Sequence, residues 1–216
     1  MIAPALVLAV VAALALTACG SRTRKLDQVV FHEGPQFKLK LARYHENLPM
    51  HYVGEVFRVQ CASARTADAP AHRMQDAGWV TLGNGGAIGS ANAAQVAERE
   101  RGNYRIIDER TLAWLGTGVS VSFDACGEFR GWYPTLLPAD MIDPVEKPEY
   151  CAPRGTADCR HYDFLGDRAP AFEQLEVRPD GRISFVARSK SIRPGGAVRV
   201  ESPDSGRTWA VTPLQK

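Results

Sequence analysis

Residues 198–211 read Val-Arg-Val-Glu-Ser-Pro-Asp-Ser-Gly-Arg-Thr-Trp-Ala-Val, and this stretch decides the fold of the chain. In its first four residues valines alternate with charged residues, which is the period of a half-buried β-strand. Asp204 can hydrogen-bond backbone amides two residues on, and Gly206 can adopt a positive φ without a Cβ clash. Thr208 and Trp209 favour an outgoing strand. The stretch therefore predicts a β-hairpin whose two strands share one apolar face: Val198, Val200, Trp209 and Val211.

The segment from Ser202 to Trp209 matches the Asp-box pattern Ser-x-Asp-x-Gly-x-Thr-Trp at every fixed position. In this it resembles the boxes that repeat around sialidase propellers, where the box is a structural turn remote from catalysis. A propeller has about four or more blades, whereas we find a single box and no internal repeat of fixed period. We therefore assign no catalytic role to Ser202 or Asp204.

Patterns elsewhere predict a mainly β fold of the α+β class, an antiparallel meander or sandwich in a single domain. The predicted strands are Phe37–Leu41, Val53–Cys61, Trp79–Leu82, Tyr104–Ile107, Thr111–Leu115, Val119–Ala125, Phe172–Arg178, Arg182–Arg188, Ala197–Glu201 and Arg207–Thr212. One short helix is predicted from Ala91 to Arg101, with Ser90 as its N-cap and Gly102 as its terminator. The segment from Leu136 to Pro170 is rich in Pro, Gly, Asp and Cys, which predicts a long loop.

An uncharged apolar run begins at Ala5 and ends in Leu16-Thr17-Ala18-Cys19. The run is shorter than the roughly twenty residues of a membrane-spanning helix, so residues 1–18 are interpreted as a secretory signal. The segment resembles the lipobox of bacterial lipoproteins, although no Lys or Arg precedes it. That resemblance implies cleavage before Cys19 and acylation of Cys19. Gly20 in place of Asp implies anchorage at the outer membrane, with the protein facing the periplasm.

On this interpretation residues 19–28 are the lipidated cysteine and a tether, and residues 29–216 form one β-rich periplasmic domain. Cys19 accounts for the odd member of the five cysteines. The other four lie in an oxidising compartment, which predicts two disulfides. Four cysteines allow three pairings. We favour Cys151–Cys159, which closes a short loop, and Cys61–Cys126, which joins two strand ends.

The net charge of +2 is too balanced for a nucleic-acid-binding face, so nucleic acid is not expected as a partner. The basic cluster Arg22, Arg24 and Lys25 is interpreted as a solvated part of the tether. The glycine-rich run from Gly83 to Ser90 lacks the Lys-Ser/Thr ending of a phosphate loop. His45, Glu46 and His51 do not have helical metal-ligand spacing, nor do Cys159 and His161. We therefore expect no cofactor and no metal.

Catalytic groups are poorly specified by the sequence. The chain has no G-x-S-x-G nucleophile elbow. Four carboxylates on predicted turns and loops could supply an acid–base pair, although such carboxylates are usually solvated: Asp124, Glu128, Asp140 and Asp143. No catalytic residue is therefore named.

Two segments are candidates for contact with a partner. The first runs from Phe129 to Tyr133 and contains Arg130, Trp132 and Tyr133, residue types that often anchor interfaces. The alternative for Trp132 is a place in the core. The second segment is the loop from Cys151 to Cys159.

Two functions of different class remain. The first is a lipid-anchored protein that acts by binding another protein in the periplasm. The lipobox, the single Asp box and the segment Tyr104-Arg-Ile-Ile-Asp108 resemble the lipase-immunity lipoproteins of type VI secretion. That resemblance implies an immunity protein that neutralises a secreted toxin such as a phospholipase. The alternatives are an envelope hydrolase acting on glycan or peptidoglycan, and a scaffold for envelope assembly.

Overall fold

A computed structural model describes residues 22–48, 52–86, 91–143, 162–164 and 166–214. In these residues twelve antiparallel strands form three four-stranded sheets, with one short α-helix. The strands are β1 (Arg22–Glu33), β2 (Phe37–Leu48), β3 (Tyr52–Ser63), β4 (Val80–Gly85), β5 (Tyr104–Ile106), β6 (Leu112–Leu115), β7 (Val119–Ser122), β8 (Arg130–Trp132), β9 (Ala171–Val177), β10 (Ile183–Arg188), β11 (Ala197–Ser202) and β12 (Ala210–Pro213). The prediction of a mainly β, antiparallel fold with one short helix is confirmed.

The chain divides into two compact units, where the sequence predicts a single domain. The first unit comprises residues 1–33, 38–62 and 66–101, and the second comprises residues 34–37, 63–65 and 102–216. The first unit contains one sheet and the helix. The second contains two sheets that share a hydrophobic core of their own.

In the first unit, the sheet has the strand order β1-β2-β3-β4. Helix α1 (Ala93–Glu100) buries Ala93, Val96 and Ala97, and the backbone amide of Ala93 donates to Asp27 Oδ2 at 3.0 Å. The N-cap is Asn92 and not Ser90. The reason is a capping box, in which the side chains of Asn92 and Gln95 each accept the other's backbone amide at 3.0 Å.

Strand β1 begins at Arg22, inside the residues that the sequence assigns to a tether. It pairs with β2 from Arg22 opposite Asn47 to Glu33 opposite Lys38. Residues 22–28 are therefore part of a sheet. The apolar positions in this segment are few and most of its residues are charged or polar, so the sequence alone does not indicate a strand. The pairing with β2 shows that these residues form one.

Strand β2 is buried on both faces. Leu39 and Leu41 are fully buried on one side, but Lys40 and Tyr44 on the other are only 2% and 3% exposed. The sequence predicts a half-buried strand here because lysines alternate with apolar residues. The structure differs because β2 lies inside the sheet and Asp76 and Trp79 cover Lys40.

In the second unit the sheets have the orders β5-β6-β7-β8 and β12-β11-β10-β9. Their facing sides form one core around Phe185, whose ring centroid lies 5.5 Å from Trp132 and 6.0 Å from Trp209. Val198 and Val200 are in this core, and Trp209 and Val211 pack against it. The shared face that the hairpin sequence predicts is therefore present.

A disulfide joins Cys61 and Cys126, which is the pairing favoured from the sequence. Cys151 and Cys159 lie outside the described residues, as do Cys19 and the lipobox. Their predicted disulfide and acylation therefore remain predictions.

Candidate functional site

The hairpin loop from Ser202 to Trp209 is held by the buried side chain of Ser202 and the half-buried side chain of Asp204. It is one of two loops with this construction, which we call the first and second Ser-Asp turns in chain order, and this loop is the second. The Ser202 hydroxyl accepts the amide of Gly206 at 2.9 Å and donates to Asp204 Oδ1 at 3.0 Å. The Asp204 carboxylate accepts the Thr208 amide at 2.8 Å and the Thr208 hydroxyl at 2.8 Å. Asp204 thus binds amides three and four residues on, of Arg207 and Thr208. The prediction of a bond two residues on was wrong, because Ser202 accepts the nearer amides.

A first Ser-Asp turn, from Ser122 to Phe129, has the same construction. The Ser122 hydroxyl accepts the amide of Cys126 at 3.1 Å and donates to Asp124 Oδ1 at 2.9 Å. Asp124 Oδ1 accepts the Glu128 amide at 3.0 Å. The sequence predicts that strand β7 continues to Ala125. The strand instead ends at Ser122 because the chain enters this turn.

Both turns also attach to the preceding turn of their own sheet by one equivalent backbone bond. The amide of Ala125 donates to the carbonyl of Arg110 at 2.8 Å, and the amide of Ser205 donates to the carbonyl of Gly181 at 2.9 Å. The two four-stranded sheets therefore share the same turn construction. The serines are 80 positions apart and the accepting carbonyls 71 positions apart, so the repeat has no fixed period in the sequence.

The carboxylates of the two turns are committed to hydrogen bonds with their own loops. Backbone and side-chain hydrogen bonds from Thr208 hold the pKa of Asp204 below its ordinary value. Burial alone would raise the pKa of Asp124, but hydrogen bonds from the Glu128 amide and Ser122 outweigh burial and lower it. Both groups are therefore ionised acceptors that close turns.

The other three carboxylates that the sequence offers as an acid–base pair, Glu128, Asp140 and Asp143, show no shared catalytic geometry. Glu128 pairs with Arg130 at 2.7 Å. Asp143 pairs with Arg168 and Arg193. Asp140 is exposed in a short 3₁₀ turn. Of the four, Asp124 and Glu128 belong to one turn.

The three predicted contact residues have different environments. Trp132 is 1% exposed and packs edge-on against Phe185, so the core alternative describes it and it offers no exposed surface. Tyr133 is 38% exposed, and its hydroxyl lies 3.3 Å from Ser120 Oγ. The Arg130 side chain is 26% exposed. Leu136, which the sequence did not single out, is 57% exposed and lies three residues beyond Tyr133.

A second cluster that sequence reasoning missed lies in the first unit. The Lys40 ammonium forms an ion pair with Asp76 and lies 4.0 Å from the ring centroid of Trp79. Lys25 binds the same carboxylate at 2.6 Å. Burial lowers the pKa of Lys40 despite its pairing with Asp76. Burial alone would raise the pKa of Asp76, but its hydrogen bonds from Lys25 and Lys40 outweigh burial and lower it.

This cluster fits a structural role. The Lys40 side chain is only 3% exposed, which leaves no room for a substrate at its ammonium. Nearby, the Gln60 amide donates to the Met74 carbonyl at 2.5 Å, and Arg73 pairs with Glu46 at 2.8 Å. These bonds attach the segment before β4 to the sheet. A lysine between two leucines gives no sequence signal of such burial.

One cleft of about 410 Å³ lies on the outer side of the second unit's β12-β11-β10-β9 sheet. Ser184 of β10 lies opposite Glu176 of β9 and Glu201 of β11, so two carboxylates flank one hydroxyl. Arg178, which pairs with Glu176 at 3.5 Å, also lines the cleft. The sequence did not single out these carboxylates because they alternate with apolar residues as ordinary solvent-facing strand positions do.

Within the described ranges, no group of three or more His, Cys, Asp or Glu side chains could hold a metal ion. Among the same residues no helix is long and apolar enough to cross a membrane. Among the sequence's candidates for metal or phosphate binding, His51, Cys159, His161 and residues 87–90 lie outside the described part.

The chain was compared with protein-family models, curated proteins and solved structures, and none of them matches it. Its function is therefore inferred from its own residues.

Proposed function

We propose that this protein is a lipoprotein held by acylated Cys19 at the periplasmic face of the outer membrane. Strand β1 begins at Arg22, three residues after that cysteine. Three extended residues reach about 10 Å. The first unit then lies directly at the bilayer surface.

We further propose that the protein acts by binding another protein. The observation that carries this proposal is the distribution of exposed apolar side chains. Five large ones are exposed in the described part, and four of them belong to the second unit: Ile106, Ile107, Tyr133 and Leu136. Exposed tyrosine and arginine side chains are frequent interface anchors. Tyr133 and Leu136, with Arg130 on the preceding strand, are the proposed contact residues.

The most specific form of the proposal is an immunity protein against a secreted phospholipase. Its support is the resemblance of the lipobox, the Ser202–Trp209 box and the Tyr104–Asp108 segment to lipase-immunity lipoproteins. Anchorage within a few residues of the membrane also suits a target that attacks phospholipids. Ile106 and Ile107 of that segment are 44% and 39% exposed, so they are available to a partner.

The experiment is capture of partners by the full-length, membrane-anchored chain in its own envelope after chemical cross-linking. The wild type is expected to recover one protein in stoichiometric amount, with phospholipase activity that the chain inhibits. Leu136→Asp is expected to weaken inhibition at least ten-fold. Val30→Asp makes the same change at a 46% exposed site of the first unit and is expected to have no effect.

Two results would contradict the proposal. Equal loss of inhibition in both aspartate variants would show that the second unit is not the contact surface. Recovery of peptidoglycan alone would favour the other class of function.

That other class is an envelope hydrolase, and the cleft between Glu176 and Glu201 is the observation that favours it. The two residues lie one strand apart on each side of Ser184, and two strand spacings are roughly 10 Å. Inverting glycosidases separate their carboxyl groups by about 6.5–9.5 Å. Peptidoglycan hydrolysis that is abolished by Glu201→Gln, but retained by Glu173→Gln on the same sheet, would support this function.

A further inference from the structure

The two Ser-Asp turns differ at one position that the backbone makes critical. In the second turn, Ser205 and Gly206 have φ values of +60° and +83°. In the first turn, Ala125 and Cys126 have φ values of +55° and +69°. Cys126 therefore occupies the left-handed position that Gly206 occupies in the second turn. Glycine adopts this conformation freely, whereas a residue with a Cβ adopts it rarely.

The residue that replaces glycine is also the residue that forms the disulfide with Cys61. Its amide donates to Ser122, and the amide of Glu128 donates to Asp124. The second turn makes the equivalent bonds with no cysteine in it. At residue 126 the first turn thus combines an unfavourable backbone conformation with a covalent constraint, and the second turn has neither at residue 206.

We infer that the Cys61–Cys126 disulfide replaces glycine as the means of holding the first Ser-Asp turn closed, so that this turn forms only after oxidation. Closure transfers two electrons and two protons from the two thiols to a disulfide oxidant, which becomes a dithiol. A thiolate attacks the oxidant, and the second thiol then displaces it from the mixed disulfide.

The step is directional because the product is sheltered. Cys61 is 0% exposed and Cys126 is 1% exposed, so a dithiol cannot reach the bond in the folded chain. If the protein acts in the periplasm, as its proposed function requires, its β5-β6-β7-β8 sheet is completed only after export. The disulfide then acts as a folding checkpoint and not as a reversible switch.

The test compares two variants of the full-length chain that both lack the cross-link. Cys61→Ser/Cys126→Ser keeps a Cβ at the left-handed position, and Cys61→Ser/Cys126→Gly removes it. Hydrogen exchange is measured at the amide of Glu128, with the amide of Thr208 in the second turn as the control within the same molecule. Neither readout depends on a partner, so failure of the proposed function leaves the test intact.

In the serine variant, the Glu128 amide is expected to exchange at least about ten-fold faster than in the oxidised wild type, because the left-handed residue has lost its constraint. In the glycine variant the rate is expected to return to within about three-fold of wild type. The Thr208 amide is expected to stay constant in both.

Three results would overturn the inference. They are unchanged exchange at Glu128 in the serine variant, faster exchange at both turns in both variants, and no difference between the two variants at Glu128. If the serine variant does not fold, the glycine variant decides alone. A folded glycine variant with a protected Glu128 amide supports the inference, and an unfolded one contradicts it.

Discussion

The first and second Ser-Asp turns make equivalent hydrogen bonds, but only the second has glycine at its left-handed position. The second is closed by residues within its own loop, including a Thr208 hydroxyl bond to Asp204. The first turn has Glu128 where the second has Thr208. Where the second has Gly206, the first has Cys126, which is in a disulfide. One backbone shape is therefore specified locally in one sheet and, we infer, by a distant covalent bond in the other.

The largest expected effect comes from removing the glycine of the second turn. A Cβ at residue 206 would lie 3.0 Å from Arg130 Cβ and 3.3 Å from the Trp209 ring, on a backbone with φ of +83°. Strain and crowding together predict that Gly206→Ala lowers the free energy of unfolding by about 3 kcal/mol. Urea denaturation of the purified chain measures this. Gly102→Ala, where no heavy atom lies within 4 Å, is the control and is expected to change it by less than about 0.5 kcal/mol.

The serines should show whether the turns are energetically equivalent. Ser122 is 0% exposed and Ser202 is 2% exposed, and each hydroxyl accepts an amide that would otherwise lack that acceptor. Ser122→Ala and Ser202→Ala are each expected to lower the free energy of unfolding by about 1–2 kcal/mol. Thr117→Ala, at an exposed site, is the control. A large effect in one turn and none in the other would break the equivalence.

Acid should weaken both turns. The pKa values of Asp124 and Asp204 are lower in the folded chain than their ordinary values. The unfolded chain therefore takes up protons first as pH falls below about 4, so the stabilisation is present above that pH and is lost below it. Urea denaturation at several pH values should give a shallower decline for Asp124→Asn and for Asp204→Asn than for the wild type. A decline that neither variant alters would contradict the assigned roles.

The smallest expected effect tests the threonine that distinguishes the turns. Glu128→Thr places a hydroxyl where Thr208 lies in the second turn and removes the exposed pair with Arg130. The new bond to Asp124 and the lost surface pair nearly offset each other, so a slight rise in the urea midpoint is expected. The reverse variant, Thr208→Glu, should lower the midpoint slightly. Two shifts of the same sign would show that the positions are not equivalent.

The sequence predicted the second turn because every fixed position of the pattern carries a residue with a strong local preference. The first turn escaped prediction because Cys126, Glu128 and Phe129 stand where glycine, threonine and tryptophan stand in the pattern. Its geometry depends on Ser122 and Asp124, and a serine two residues before an aspartate is too common to predict a turn.

The first unit shows a different limit of sequence reasoning. The alternation around Lys40 is the same in a half-buried strand and in a strand covered on both sides, so only the sheet order and Asp76 distinguish them. Similarly, Trp132 and Tyr133 are adjacent in sequence, yet one is in the core and the other is exposed. Which of the two rings faces the core depends on which face of β8 packs against the β12-β11-β10-β9 sheet, and that is set by tertiary packing.

If the two sheets of the second unit are closed by one turn made twice, amide hydrogen exchange of the oxidised wild-type chain should show it. We expect the amides of Cys126 and Glu128 to be protected to within about ten-fold of those of Gly206 and Thr208, because each donates to an equivalent acceptor. Protected amides at 206 and 208, with amides at 126 and 128 exchanging at the rate of an unstructured peptide, would contradict it.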